Sequence, residues 1–198
     1  MGRSMAPVLK RCKTLGINPT VLGYDKTTKR NAKDNTRRKK SEYGTQLNEK
    51  QKVKLIYGMQ EKQFKKYYVM ATKKSGITGE MLLQILESRL DNVIFRMGFA
   101  KTRNAARQLV NHGHVEVNGK KVDIPSYLVK AGDVVSIKES SRSSAGIKAI
   151  LEKDFNRIVP SWLEVNKENF SGKVLNLAAR SDIDYPVEEH LIVEYYSK

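Results

Sequence analysis

Residues 89–127 read RLDNVIFRMGFAKTRNAARQLVNHGHVEVNGKKVDIPSY, and a change of hydrophobic period within them decides the fold. Up to residue 111 the apolar side chains recur at steps of three and four, which predicts two short helices joined by a turn at 98–101. From residue 115 the step becomes two, and Asn118-Gly119 stands between two short alternating runs. This dipeptide tolerates the positive φ angles of a type I′ turn. The stretch therefore predicts a helical corner followed by a β-hairpin.

Upstream of this stretch the sequence has a helical pattern. Apolar and aromatic side chains recur at helical steps over 48–72, and Gly58 divides that segment into two helices. A second apolar stripe predicts one continuous helix from a cap at Thr78 to a terminating glycine at Gly98. Thr102 is a suitable N-cap for the helix that follows.

Downstream, the sequence predicts further strands and two more helices. Asp184 and Pro186 favour a helix start near the C-terminal tail. In chain order we expect a strand at 134–137, a polar linker at 139–146, a helix at 147–159 that Pro160 ends, and strands at 162–165 and 174–177. The tail at 187–196 fits either a helix or a strand, and the helix is preferred.

The charge of the chain is high and unevenly distributed. There are 37 Lys plus Arg and 21 Asp plus Glu, a formal net charge of +16. Residues 1–75 hold 20 of the basic and five of the acidic side chains. Such a charge repels itself unless a polyanion neutralises it, so nucleic acid is the expected partner. Residues 1–45 show no sustained period, and we expect a loose basic arm there.

Polar side chains in the central stretch predict where the nucleic acid binds. Arg103 and Arg107 are four residues apart, which places them on the same face of a helix. Guanidinium groups suit phosphate oxygens, and amides and imidazoles reach 2′-hydroxyls or base edges. The same edge continues with Asn111, His112 and His114, and the hairpin adds Asn118, Lys120 and Lys121.

The central stretch resembles the S-four RNA-binding module. The resemblance is carried by Arg89-Leu90-Asp91, Arg96-x-Gly98-Phe99, Thr102-Arg103-x-x-Ala106-Arg107-Gln108, His112-Gly113-His114 and Val117-Asn118-Gly119. It extends to SEYGTQLNEKQKVKLIYG at 41–58, Trp162-Leu163-Glu164-Val165, and EHLIVEYYSK at 189–198. Residues 41–198 thereby look like bacterial members of the ribosomal protein S-four family.

This resemblance implies a structural component of the small ribosomal subunit. Family members bind a multi-helix junction of 16S ribosomal RNA, nucleate assembly of the 30S body, and influence decoding accuracy through the fifth small-subunit protein. They also lie near the entry of messenger RNA. The RNA-binding residues we expect from charge and resemblance are Arg3, Lys10, Arg11, Lys13, Arg37, Arg38, Lys39, Lys40, Tyr43, Lys50, Lys52, Lys54, Arg96, Lys101, Arg103, Arg107, Gln108, Asn111, His112, His114, Asn118, Lys120 and Lys121.

The expected contact with the fifth small-subunit protein also comes from the resemblance. It falls near the aromatic residues at 43–57 and on the tail at 181–198. The residues we assign to it are Tyr57, Asp182, Glu188, His190 and Tyr195.

The predicted fold is α+β, with an extended basic N-terminal arm. We expect three parts: the RNA-binding arm at 1–45, a helical domain at 46–87 that the tail at 178–198 joins, and an α/β domain at 88–177. The last contains the RNA-binding module at 88–150, whose two helices and hairpin adjoin a small antiparallel sheet.

No metal, cofactor or membrane span is expected. Cys12 is the one cysteine, whereas structural zinc, which many relatives carry in a four-cysteine cluster, needs about four ligands. No apolar run approaches the roughly 20 residues that a span needs, so we expect a cytoplasmic protein.

Two other functions remain open from the sequence. One is an enzyme, because Arg89-Leu90-Asp91 superficially resembles the catalytic aspartate motif of pseudouridine synthases that carry the same module. No nucleotide-binding motif accompanies it, and we expect no catalytic activity. The other is an RNA-binding factor that acts away from the ribosome.

Overall fold

The structure, a computed structural model, describes residues 7–26, 41–144, 148 and 158–197. The chain divides into two compact units. Unit 1 comprises Met1–Leu83 together with Tyr185–Lys198, and unit 2 comprises Gln84–Asp184.

Unit 1 is helical. It contains α1 (Val8–Leu15), a 3-10 turn at Pro19–Leu22, α2 (Glu42–Ile56), α3 (Glu61–Thr72), the first part of α4 (Thr78–Glu87), and α8 (Glu189–Ser197). The C-terminal helix α8 packs against α2. Val53, Phe64, Tyr67 and Ile192 are among the buried side chains of this unit. Its core therefore joins segments from both ends of the sequence.

Unit 2 combines helices with a five-stranded antiparallel sheet. After the end of α4 come α5 (Leu90–Arg96), α6 (Arg103–Asn111), β1 (Val115–Val117), β2 (Lys120–Lys121), β3 (Val134–Ile137), α7 (Glu139–Arg142), β4 (Leu163–Asn166) and β5 (Ser171–Val174). The strand order is β2-β1-β3-β5-β4. Apolar side chains from α5, α6 and the sheet, with Trp162, form one core. The α+β fold class is confirmed.

Local signals for α6 and the hairpin are confirmed. The Thr102 hydroxyl accepts a hydrogen bond from the Ala105 backbone N–H at 3.1 Å, so it caps α6. Asn118 and Gly119 have φ angles of 51° and 74°, and β1 pairs with β2 across them. Gly58 (φ 63°) separates α2 from α3, as predicted.

The single helix predicted from Thr78 to Gly98 is wrong. Arg89 is extended and divides it into α4 and α5. The backbone N–H of Leu90 donates to the Tyr127 carbonyl at 2.8 Å, and that of Val129 donates to the Ser88 carbonyl at 2.9 Å. These hydrogen bonds to a distant segment replace hydrogen bonds within a helix. The local hydrophobic period does not reveal them.

The described part of the basic arm at 1–45 contains regular structure that the sequence pattern did not predict. Helix α1 buries Cys12, the turn at Pro19–Leu22 follows, and α2 begins at Glu42 rather than near residue 48. The Ser41 hydroxyl accepts from the Gly44 N–H at 3.2 Å and so fixes that start.

Three further boundaries differ from prediction. The strand expected at 174–177 is Ser171–Val174 instead, because Met97 packs over Gly172 and the alternating Leu175 and Leu177 are exposed. The expected linker at 139–146 begins with the short helix α7, and the tail helix begins at Glu189. The helix predicted at 147–159 lies mostly outside the described residues.

Candidate nucleic-acid interface

In unit 2, helix α6 presents a polar face opposite an apolar one. Ala106, Leu109 and Val110 are buried, while Gln108 and Asn111 are exposed. We use the name α6 edge for a set of seven exposed or half-exposed polar residues on this helix, at its two ends and on the hairpin, all of them predicted to bind RNA. These residues are Lys101, Arg107, Gln108, Asn111, His112, Lys120 and Lys121.

The connection from α6 to β1 brings the hairpin lysine against the helix end. Gly113 has φ 73°, and a Cβ built there would clash with Cε of Lys121. The missing side chain thus gives Lys121 room to lie across the connection. The end of α6 and the hairpin consequently lie close together, with Lys121 next to Gly113.

Asn118 serves the geometry of the hairpin. Its Nδ2 donates to Oδ1 of Asp133 at 2.9 Å, and its Oδ1 accepts from the Val134 backbone N–H at 2.9 Å. Both polar ends of this side chain therefore tie the turn to the start of β3. His114 is half-buried, with Nδ1 3.0 Å from Oγ of Ser141.

Arg103, predicted to bind RNA together with Arg107, lies inside unit 2 instead. The Arg103 side chain is 7% exposed, its Nε donates to Oδ1 of Asn92 at 2.8 Å, and its Cζ lies 4.2 Å from the centre of the Phe95 ring. Arg107 is half-buried at the margin. The position of Arg103, three and seven residues before buried Ala106 and Val110, is the sequence signal for its burial.

A buried polar network extends from Arg103 through α5, and sequence reasoning missed it. Asn92 Nδ2 donates to Oε2 of Glu87 at 2.7 Å. Arg96 donates to both oxygens of the same carboxylate, at 2.9 and 3.1 Å, and to Asp184 at 2.9 Å. Arg96, predicted to contact RNA, is 7% exposed and stabilises unit 2 from within.

Asp91 is also buried inside unit 2. Its carboxylate is 6% exposed and accepts a hydrogen bond from Arg89 Nε at 3.0 Å, with a second contact from the same guanidinium. Arg89-Leu90-Asp91 thus forms a buried ion pair at the start of α5.

In unit 1, the α2 lysines predicted to bind RNA are in ion pairs. Lys50 is 4% exposed, and its Nζ lies 2.8 Å from Glu61 and 4.1 Å from the centre of the Tyr195 ring. Lys54 lies 3.1 Å from the same carboxylate, and Lys52 pairs with Glu49. The three α2 lysines are therefore paired, Lys50 and Lys54 with Glu61 of α3 and Lys52 with Glu49 of α2 itself.

Glu61 is the acidic centre of this cluster. It also accepts a hydrogen bond from the Tyr196 hydroxyl at 2.7 Å. Burial alone would raise the pKa of the Glu61 carboxyl, but hydrogen bonds from Lys50, Tyr196 and Lys54 outweigh it and lower the pKa to about 2. Burial and the hydrogen bond to Glu61 raise the pKa of Tyr196.

The remaining predicted RNA-binding residues lie mostly near the N-terminus. Lys10 and Lys13 are exposed on α1, and Arg11 is half-buried. Tyr43 is 54% exposed, and its ring centre lies 5.6 Å from that of Tyr195. Five predicted residues lie outside the described part of the chain: Arg3, Arg37, Arg38, Lys39 and Lys40.

The five predicted protein-contact residues differ in accessibility. Glu188 and His190 are exposed, and Tyr195 is half-buried. Tyr57 is 3% exposed and hydrogen-bonds to Tyr185, so it belongs to the core of unit 1. In unit 2, Asp182 accepts hydrogen bonds from Ser161 at 2.9 Å and from the Ala179 N–H at 2.8 Å.

Within the described ranges, no cluster of three or more His, Cys, Asp and Glu side chains is arranged to hold a metal ion. The described helices include none that is both long and apolar enough to cross a membrane.

Comparison with known proteins gives the same family along the whole chain. The model described as "Ribosomal protein S4/S9 N-terminal domain" matches residues 3–87, and the one described as "S4 domain" matches residues 88–135. Proteins named "Small ribosomal subunit protein uS4" from Agathobacter rectalis and Lachnospira eligens are each 57% identical over 198 residues, with full coverage of both chains. The protein of that name from Fusobacterium nucleatum is 49% identical, again with full coverage. The chain therefore belongs to the uS4 family of small ribosomal subunit proteins.

Proposed function

We propose that this protein is a structural constituent of the small ribosomal subunit in the bacterial cytoplasm and binds ribosomal RNA there. In finer terms, it is a primary binder of a 16S rRNA junction, nucleates assembly of the 30S body, and lies near the entry of messenger RNA. The observation that carries the proposal is the α6 edge, in a chain whose full-length relatives are named small ribosomal subunit proteins.

The chemistry of the α6 edge suits a folded polyribonucleotide. Lys101, Arg107, Lys120 and Lys121 provide positive charge for phosphate oxygens. The amides of Gln108 and Asn111 add donors and acceptors for 2′-hydroxyls and base edges. Cations set the affinity, and the amides and the fixed shape set the selectivity for one RNA structure.

The buried polar network around Asn92 makes the support of the α6 edge rigid. Arg103 joins α6 to α5 through its hydrogen bond of 2.8 Å to Asn92. Glu87, at the end of α4, fixes α5 in turn through bonds of 2.7–3.1 Å from Asn92 and Arg96. Groups fixed before binding lose little conformational entropy when the RNA arrives. The α6 edge is thereby pre-organised for its ligand.

The protein contributes to translational accuracy through contact with the fifth small-subunit protein. Exposed Glu188 and His190, at the start of α8, offer polar groups for that contact. The aromatic pair of Tyr195 on α8 and Tyr43 on α2 is part of the proposed contact surface.

The role is structural rather than enzymatic. Asp91 would be the catalytic aspartate if the protein were a pseudouridine synthase, and it is buried in its ion pair with Arg89. Robust isomerisation of uridine by the purified protein would overturn this part of the proposal.

Sedimentation tests the ribosomal role. A stoichiometric component remains with small subunits through a high-salt gradient, whereas a loosely bound factor is washed off. Loss of the protein from the subunit peak would favour an RNA-binding factor that acts elsewhere.

The α6 edge itself is tested by a pair of double variants. Lys120→Gln with Lys121→Gln should lower the slope of log K against log salt by about 1.5, since each phosphate contact contributes about 0.7–0.9. The control, Lys167→Gln with Lys173→Gln, removes the same charge from exposed positions around the β4–β5 hairpin. Equal slopes for both variants would remove the hairpin from the interface.

A further inference from the structure

Helix α3 carries a row of exposed lysines on the face that points away from the core of unit 1. Phe64, Tyr67 and Ala71 are buried on its inner side. Lys62, Lys65, Lys66 and Lys73 are all exposed, with Val69 (44% exposed) and Met70 (41%) between them. At 1.5 Å per residue, the row from Lys62 to Lys73 is about 16 Å long.

Nothing acidic on α3 offsets this row. Glu61 is the single acidic residue of the helix, and it is held by Lys50 and Lys54 of α2. Among the described residues, the ion pairs involve none of the four α3 lysines. The four charges therefore face solvent without a carboxylate.

This arrangement is unfavourable for the isolated helix. Lys62 and Lys66 are four residues apart, and like charges at that spacing destabilise a helix. Lys62 also lies in the first turn, where the helix dipole disfavours a cation. A polyanion on this face would remove both penalties at once.

We infer that the outer face of α3 is a second binding surface for the phosphodiester backbone of RNA, in addition to the α6 edge. The inference rests on the proposed function, because a chain that binds ribosomal RNA has that backbone as its nearest polyanion. Lysine ammonium groups spaced about one helical turn, roughly 5.4 Å, apart bind phosphates as point charges without reading sequence. The surface thus adds affinity and leaves selectivity to the α6 edge.

The test measures RNA binding by the full chain, with a transcript of small-subunit ribosomal RNA as the probe. Lys62→Gln with Lys66→Gln should lower the slope of log K against log salt by about 1.5, and adding Lys73→Gln should lower it by a further 0.8 or so. The matched control is again Lys167→Gln with Lys173→Gln. Glutamine keeps helix propensity close to that of lysine, so α3 is retained.

A stability measurement separates a binding role from a structural one. Because the substitutions remove like-charge repulsion, the melting temperature of the α3 variants should equal or exceed that of the wild type. A clear fall in melting temperature would mean that these lysines support the fold, and would overturn the inference.

The remaining outcomes distinguish the inference from the proposed function. In one outcome the wild type binds, the Lys120/Lys121 variant lowers the slope of log K against log salt, and the α3 variants behave like the control. The inference then fails while the proposed function stands. If the α3 variants keep the wild-type slope yet leave small subunits in a salt gradient, the face meets an acidic protein and the inference is overturned. A wild type that ignores the transcript overturns both.

Discussion

Replacing Glu87 by glutamine should destabilise unit 2 strongly. The Glu87 carboxylate is 1% exposed and accepts hydrogen bonds from Arg96 at 2.9 and 3.1 Å and from Asn92 at 2.7 Å. Glutamine removes the charge and turns an N–H₂ group toward donors, which leaves the Arg96 guanidinium poorly compensated. Removing one partner of a buried pair costs about 3–5 kcal/mol.

The matched control is Asp184→Asn. Asp184 contacts the same guanidinium at 2.9 Å, but its side chain is 61% exposed. Solvent screens such a pair, so its loss should cost no more than about 1 kcal/mol. The two variants remove one negative charge each from Arg96 and differ in burial.

Tryptophan fluorescence reports the result for unit 2 alone. Trp162 is the single tryptophan of the chain, and it is buried in the core of that unit. For a domain of about 100 residues, 3 kcal/mol corresponds to a fall in melting temperature of at least roughly 10 °C. If Glu87→Gln and Asp184→Asn shifted the fluorescence transition equally and by less than about 1 kcal/mol, the buried Glu87–Arg96 pair would not be what stabilises unit 2.

Three more predictions concern charge, backbone and RNA contact. Because the folded-state pKa of Glu61 lies below its ordinary value, its contribution to the stability of unit 1 should be lost as pH falls from about 5 toward 2. Glu61→Gln should therefore flatten the acid dependence of thermal unfolding followed by circular dichroism. A variant with an unchanged pH profile would contradict the assigned pKa. Gly113→Ala should lower the free energy of unfolding in urea by about 1–2 kcal/mol, because the backbone there is left-handed, and should weaken RNA binding by displacing Lys121. Gly98→Ala, which has open space around it, should lower the free energy of unfolding in the same way but leave RNA binding unchanged. Equal RNA affinity for these two variants would show that Lys121 does not contact the RNA. Arg107→Ala should weaken RNA binding by about 1.5–3 kcal/mol in a titration, and an undiminished affinity would remove Arg107 from the α6 edge.

Elements marked by short-range chemistry were predictable from the sequence. Thr102 caps α6 through its own hydroxyl, and Asn118-Gly119 makes a turn that few other dipeptides adopt. In both cases the signal and the structure lie within four residues of each other. Local chemistry therefore sufficed.

Features set by distant contacts were not predictable in this way. The extended backbone at Arg89 depends on hydrogen bonds to residues some 35–40 positions later, around Tyr127 and Val129. The apolar stripe runs through the break unchanged, so periodicity alone gives one helix. The strand at Ser171–Val174 was missed because Gly172, over which Met97 packs, interrupts the alternation that marks a strand.

The candidate site shows the same division. Basic residues can be found by inspection, but their environment depends on neighbours in space. Lys50 is buried between Glu61 and Tyr195, which follow it by 11 and 145 positions, whereas Lys62 on the next helix is exposed. Charge in a sequence therefore indicates that a polyanion is bound, and the fold decides which cations remain to bind it.

The return of α8 to α2 has a consequence for how the chain is made. Unit 2 is continuous from Gln84 to Asp184, whereas unit 1 needs Tyr185–Lys198, which the translating ribosome adds after unit 2. Domains fold as units once their residues have emerged. Unit 2 should therefore mature while α2 and α3 still await their final packing partner. In a nascent chain stalled before residue 185, the side of α2 that carries Gln46 and Lys50 should lack its contacts with α8 and be open to proteases.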